Sequence, residues 1–255
     1  MTGHTILGDS PGGFRVGVLA LANDQVIERD LGRLLPDDVW TFTTRIAYGG
    51  DCSLEQLAQM APTLTDATRL LNPEVALDAV VFGCTSGTIA IGVDQIADAI
   101  HLASPKAAVV NPVQSACAAF ERLNARRLNL ITPYEPELAE LMTRTFAAYG
   151  FEIVNRHDFG IVESADISRV TPQAIRQATA ALPRNVDATF ISCTDFQSLS
   201  VLADIERDTG LPTVTSNQAI VWRLLSLAGA KTNIQGFGRL LETFDQTADQ
   251  QGELA

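Results

Sequence analysis

Apolar and polar positions alternate between two periods along this chain. Short β-rich apolar runs fall at 14–20 ("FRVGVLA"), 40–47, 77–83, 106–111, 128–132, 151–155, 186–192 and 212–215. Between them lie segments whose apolar residues recur at helical spacing. Helix-boundary chemistry agrees. Asn23 is placed to cap the first helix, Ser53 the second with Gln56 three residues on, and Thr171 a later one with Pro172 behind it. Pro112 opens one helix and Gly150 closes another. A long helix is predicted over 87–103, with Ile89, Ile91, Ile96, Ile100 and Leu102 as its candidate core residues. A last helix is predicted over 234–244. Repeated strand–helix alternation predicts an α/β protein with parallel sheets flanked by helices.

The stretch "LDAVVFGCTSGT" at 77–88 has a counterpart in "VDATFISCTDF" at 186–196. Each is a buried-strand pattern that runs into Cys, Thr and further polar residues before a helical segment. The expected architecture is therefore two pseudo-symmetric α/β halves with a site in the cleft between them. The first half comprises 14–111 with 217–246 returning to cover it, the second comprises 112–216, and 1–13 and 247–255 are flexible ends.

Open α/β sheets carry their chemistry at the carboxyl ends of strands, where Cys84 and Cys193 fall. A helix beginning after Cys84 would aim free N–H groups at its thiol and favour thiolate. Those N–H groups, with the hydroxyls of Thr85, Ser86 and Thr88, would also form a carboxylate pocket. Cys193 with Thr194 repeats the arrangement from the other side. No Lys, Arg or His adjoins either cysteine. A buried cysteine is more often packing than chemistry; the matching pair is what singles these two out. Two thiols at one carbon can racemise the position α to a carboxylate or isomerise an alkene by addition and elimination. One thiol alone can protonate the enediolate left by loss of CO2. Cys52 reads as a loop residue, Cys117 as a helix-face residue and His157 as a surface residue, all outside the chemistry. Ser216 and Asn217 read as a helix cap.

Charge and composition narrow the partners. Eighteen basic against thirty acidic residues give a net charge of −12, which disfavours nucleic acid and anionic membrane. The first fourteen residues lack a signal-peptide pattern and no apolar run is long enough to span a bilayer, so the expected compartment is the cytoplasm. Four cysteines without CxxC spacing and three scattered histidines make no metal pattern.

The segments "VVFGCTSGT", "NPVQSACAAFERL", "LITPYEPEL", "ISCTDF" and "TSNQAIVWRLL" resemble the maleate isomerase and arylmalonate decarboxylase branch of the aspartate/glutamate racemase superfamily, nearest to its ectoine-utilisation proteins. The resemblance covers nearly the whole chain. It implies two pseudo-symmetric halves, no metal or organic cofactor, a small carboxylate substrate and a homo-oligomer, dimer or tetramer. It assigns Cys84 as the nucleophile of the isomerases, where the decarboxylases have glycine, and Cys193 as the proton-delivering acid. It further matches Asn23 and Tyr134 to substrate-binding residues, and Thr85 and Ser86 to donors for a carboxylate or enediolate. Two positions depart from an ordinary maleate isomerase. Ser164 stands where the isomerases have a substrate-binding asparagine, and Asp195 follows "CT" directly. If Asp195 faces the pocket, it would repel a dianion and suit a substrate carrying nitrogen; the alternative is a helix cap outside the pocket. Three functions follow: a two-cysteine isomerase or racemase, a decarboxylase, or a carboxylate-binding protein.

Overall fold

The computed structural model describes residues 12–72, 74–230 and 233–242. The first half contains β1 (Phe14–Leu21), α1 (Ile27–Leu34), β2 (Val39–Ile46), α2 (Leu54–Ala58), α3 (Leu64–Arg69), β3 (Ala79–Gly83), α4 (Thr85–Ile91), α5 (Val93–His101) and β4 (Ala108–Val110). There follow α6 (Pro112–Arg122), β5 (Arg127–Thr132), α7 (Pro136–Ala148), β6 (Glu152–Asp158), α8 (Pro172–Ala181), β7 (Ala188–Ile191), α9 (Leu202–Thr209), β8 (Thr213–Thr215), α10 (Ser216–Leu227) and α11 (Arg239–Glu242). Two four-stranded sheets result, in the orders β2-β1-β3-β4 and β6-β5-β7-β8. Every strand pair in both is parallel. The two orders are the same permutation, so the expected pseudo-symmetry is present.

Burial explains the strand patterns. All residues of β3 and β7 are buried, as expected of central strands covered on both faces. At the sheet edge, β2 alternates between more and less covered positions, "VWTFTTRI". In both sheets the order reverses between the two central strands, β1/β3 and β5/β7, which places a crevice at their carboxyl ends. The seam between the halves is covered by α10, which packs on α6 and α1 and also touches β4 and β8, while α11 packs on α10 and β8.

Several local expectations are corrected. The N-cap of α1 is Val26, which makes no side-chain cap; Asp24 Oδ1, two residues earlier, accepts the N–H groups of Val26 at 2.8 Å and Ile27 at 2.9 Å, and Asn23 does not cap the helix. The helix predicted over 87–103 is two helices broken at Gly92, whose φ of 93° only glycine adopts readily. Beyond that break Ile96 and Ile100 are fully buried, but Leu102 is 74% exposed and is not core. Ser53 caps α2 through the Gln56 N–H. The full reciprocal capping box lies instead at Thr215 and Gln218, so Ser216 and Asn217 are the first residues inside α10. Within the last predicted helix, only Arg239–Glu242 is helical among the described residues. The expectations for 1–11 and 243–255 lie outside the described residues.

The core of the second half is an aromatic cluster. Phe120 meets Phe146, Phe151 and Phe190 edge to face at 5.8, 5.2 and 5.5 Å between centroids. Phe120→Ala should therefore destabilise the protein by about 3–5 kcal/mol in denaturant unfolding, through lost transfer energy and the cavity left among three rings.

Candidate active site

The loops after β1, β3, β5 and β7 converge on one cleft with an empty volume of about 330 Å3. It is lined by Asn23 and Asp24 after β1, by Cys84 and Ser86 after β3, by Tyr134 after β5, and by Cys193, Thr194 and Asp195 after β7. Ser164 and Ile167 close one side, Tyr48, Cys52 and Leu57 another. The two cysteines thus come from corresponding strand ends of the two sheets.

Cys84 is the N-cap of α4. Its Sγ accepts the Gly87 N–H at 3.2 Å and lies 3.5 Å from Ser86 Oγ. Gly87 makes this possible: a Cβ there would fall 3.0 Å from Cys84 Sγ and 2.7 Å from Met60 Cε. The expected thiolate does not follow, however. Burial outweighs the Ser86 and Gly87 donors and pushes the Cys84 thiol up to about 11, which favours the protonated thiol at neutral pH.

Cys193 is held differently. Residues 194–198 form turns and a bend, so no helix starts directly behind it. Its φ is 98°, a left-handed backbone unusual for any residue with a Cβ. Surrounding bonds impose it. Ser216 Oγ accepts the Cys193 N–H at 3.0 Å, Asn217 Nδ2 donates to the Thr194 carbonyl at 2.8 Å, and Thr194 Oγ1 donates to the Gly83 carbonyl at 3.0 Å. Such strain persists only where the surroundings over-determine it, and it clusters at functional sites. Burial and the neighbouring Asp195 carboxyl push the Cys193 thiol well above its ordinary value, against the Tyr134 hydroxyl beside it.

Most of the other expected residues gather here. Tyr134 is 1% exposed and lies beside Cys193 and Ser86, yet its hydroxyl has no hydrogen-bonded partner. Asn23 Nδ2 donates to Ser164 Oγ at 2.8 Å, and Ser164 Oγ donates to the Gly50 carbonyl at 2.8 Å. Asp195 faces the cleft and caps no following helix; its Oδ1 accepts the Gln25 N–H at 2.7 Å across the seam. Thr194 lines the cleft, but its hydroxyl is committed to the Gly83 carbonyl. Thr85 is not among the lining residues: its hydroxyl is bonded to Ser216 Oγ at 2.9 Å, so its side chain ties α4 to α10. Ser216 and Asn217 do not line the cleft either; they clamp Cys193 and Thr194 from behind.

Sequence reasoning missed Asp24, Tyr48 and Cys52. Cys52 is a loop residue as expected, but the loop reaches the cleft. It is stitched across the seam by the Asp51–Glu163 bridge, by the Cys52 N–H to the Val162 carbonyl at 3.1 Å, and by the Ser164 N–H to the Gly50 carbonyl at 3.0 Å. Burial pushes the Cys52 thiol up to about 12. No sequence signal marks a contact between loops over one hundred residues apart. Asp24 carried a signal, an acid just before a helix. His157 lies in β6, its ring 4.8 Å from that of Phe159, and does not line the cleft. Cys117 is buried on α6, away from the cleft. Among the described residues no group of three His, Cys, Asp or Glu comes together as metal ligands.

The fold and site define a class: a paired α/β protein in which each half offers one thiol to a shared cleft. The arylmalonate decarboxylase family model matches residues 93–241, more than half of the chain, and the protein belongs to that family. It is 24% identical over 243 residues to a maleate isomerase of Pseudomonas putida, covering 89% of this chain and 97% of that one. Its fold matches a Nocardia farcinica maleate cis-trans isomerase variant solved with a covalently bound succinylcysteine intermediate, with a TM-score of 0.84 at 21% identity over 92% of this chain and 100% of that one. It also matches arylmalonate decarboxylase, with a TM-score of 0.74 at 20% identity over 89% and 99% of the two chains.

Two predictions follow from the geometry. Cys193→Gly should keep or raise the unfolding temperature, because glycine relieves the left-handed backbone, whereas Cys84→Gly, at a φ of −150°, should lower it. Thermal unfolding of the pair of variants tests this. Second, burial and the adjacent Asp24 carboxyl raise Asp195 to about 7. A carboxyl with a raised folded value contributes stability that is full below its unfolded value and is lost as pH rises through the folded one. The contribution of Asp195 should therefore be lost between about pH 4 and 7, so Asp195→Asn should gain unfolding temperature relative to the wild type as pH rises across that window.

Proposed function

We propose that this protein is a cofactor-independent isomerase acting at the carbon α to a carboxylate, with Cys84 and Cys193 as its two reacting groups. The observation that carries the reading is the meeting of two buried thiols, one from each half, in a cleft that also holds the unpartnered Tyr134 hydroxyl. The similarity to maleate isomerases over 89% of the chain supports it. A maleate isomerase or racemase is the specific form. The substrate is a small carboxylate, and the resemblance to ectoine-utilisation proteins would make it an ectoine-pathway derivative. Cytoplasmic placement and homo-oligomeric assembly belong to the same reading. No described helix is long and apolar enough to cross a membrane.

In racemisation, one thiolate takes the α-proton and the C–H electron pair moves into the carboxylate as an enediolate. The other thiol then protonates the opposite face, and the net change is one proton moved from one cysteine to the other. In cis-trans isomerisation, the Cys84 thiolate bonds one alkene carbon, the double-bond electrons pass to the conjugated carboxylate, the new single bond rotates, and elimination restores the alkene and the thiolate. Ser86 and the Tyr134 hydroxyl are the donors for the developing oxyanion, and Asn23 joins them at the substrate carboxylate. Because burial holds both thiols protonated, the reactive ionisation state is a minority at neutral pH.

Decarboxylation is the second reading. The family model bears that enzyme's name, and its match starts at residue 93, including Cys193 but not Cys84. Loss of CO2 from a malonate leaves an enediolate that Cys193 alone can protonate.

Proton NMR in D2O with maleate, amino acids and a phenylmalonate separates these. Isomerisation should introduce α-deuterium or convert cis to trans alkene, and Cys84→Ser and Cys193→Ser should each lower it at least about a hundredfold. Retention of turnover in Cys84→Ser with loss of a carboxyl signal would establish the decarboxylase. Because Cys84 sits near 11, kcat/KM for isomerisation should rise from pH 7 to 10.

A further inference from the structure

The cleft contains a pair of carboxyls that two-thiol chemistry does not use. Asp24 and Asp195 are 4% and 6% exposed, come one from each half, and lie within hydrogen-bonding reach of each other. Backbone N–H groups occupy Oδ1 of both: Val26 and Ile27 on Asp24, Gln25 on Asp195. The cleft lining includes no Lys, Arg or His among the described residues. The cation nearest the pair, Arg45, stands behind it. Its guanidinium donates to the carbonyls of Leu21 and Asp24 at 2.9 and 2.6 Å and pairs with Glu28. The Asp30 carboxyl, raised by burial, lies near Asp24, and the uncharged thiols adjoin the pair, Cys84 from the loop after β3 and Cys193 from the same loop as Asp195. Two adjacent carboxyls in such a place keep a proton between them at neutral pH. The same cleft also holds the Tyr134 hydroxyl, buried and without a partner, so it offers a donor for a carboxylate as well as acceptors for a cation.

We propose that the Asp24–Asp195 pair sets substrate choice, selecting a carboxylate that carries an ammonium group over a dicarboxylate. The inference deepens the isomerase reading and rests on it for the identity of the reaction. On binding, the ammonium takes the place of the shared proton, which leaves to solvent. The ammonium and the two ionised carboxylates together carry the same net charge as the singly protonated pair did, and the ligand's own carboxylate is left to the Tyr134 hydroxyl. A dianion such as maleate meets two carboxyls and no lining cation.

The test is calorimetric binding to Cys84→Ser, which separates recognition from turnover. The probes are alanine, aspartate and 2,4-diaminobutyrate, each against its deaminated counterpart, with maleate alongside. At least one aminated probe should bind ten or more times tighter than its counterpart and than maleate. Its binding should release about one proton near pH 6.5, read from the heat in buffers of different ionisation enthalpy. Asp195→Asn keeps the acceptor for the Gln25 N–H and should abolish both the preference and the proton release. Equal or tighter binding of maleate or the deaminated acids overturns the proposal. So does an unchanged preference in Asp195→Asn, or failure of every aminated probe to bind. The proton-release measurement needs no Asp variant, so misfolding of Asp195→Asn would not obscure the answer. If the preference holds but Cys84→Ser retains full isomerisation, the two-thiol reading fails and the role of the pair stands.

Discussion

The hydrogen bond from the Thr194 hydroxyl to the Gly83 carbonyl ties the two halves at the point where both cysteines leave their strands. Gly83 is the last residue of β3 and the one before Cys84; Thr194 is the one after Cys193. A single such bond is worth about 1 kcal/mol of stability. Its larger consequence is geometric. Neither thiol can move far from the other without breaking it, and a side chain on Gly83 would crowd the Leu19 carbonyl oxygen, 3.1 Å from its Cβ. Ser216 and Asn217 extend the same clamp: Ser216 joins Cys193 to Thr85, and Asn217 joins Thr194 to Asp30. The first turn of α10 is thus the back wall of a site that it never lines.

Two effects compete at each thiol, and burial wins at both. The N-cap position gives Cys84 a backbone donor and Ser86 beside it, yet full enclosure costs the charged form more than these return. An enclosed, protonated thiol suits a reaction in which one cysteine must be an acid while the other is a base. It also protects both from adventitious oxidation and alkylation, which require thiolate and access.

The strand–helix alternation, the two halves and both cysteines were legible because they rest on local signals: continuous apolar runs for central strands, and a repeated Cys–Thr at two strand ends. What escaped depended on distant parts of the chain. The helical spacing of apolar residues runs unbroken through 87–103, and only the positive φ of Gly92 shows why one helix becomes two. Thr85 looked like a carboxylate donor from its place after Cys84, but its rotamer is set by Ser216, 131 residues on. Cys52 looked remote because its approach to the cleft depends on pairing between the loops at Asp51 and Glu163. Asn23 looked like a cap from its place before α1, but its neighbour Asp24 takes the first N–H groups there and Asn23 reaches Ser164 instead.

Pseudo-symmetry and its violations do different work. The repeated permutation of strands brings the cysteines at the ends of β3 and β7, the third strand of each half, to one cleft. The surroundings are then unlike. Cys84 stands extended at a helix cap and Cys193 stands left-handed in a turn. Asp24 follows β1 where Tyr134 follows β5, so one half offers an acceptor at the position where the other offers a donor. A fully symmetric cleft would hold a substrate equally well in two orientations. The carboxyls and the phenol are unlike groups in one cleft, so they distinguish the two ends of an unsymmetrical ligand.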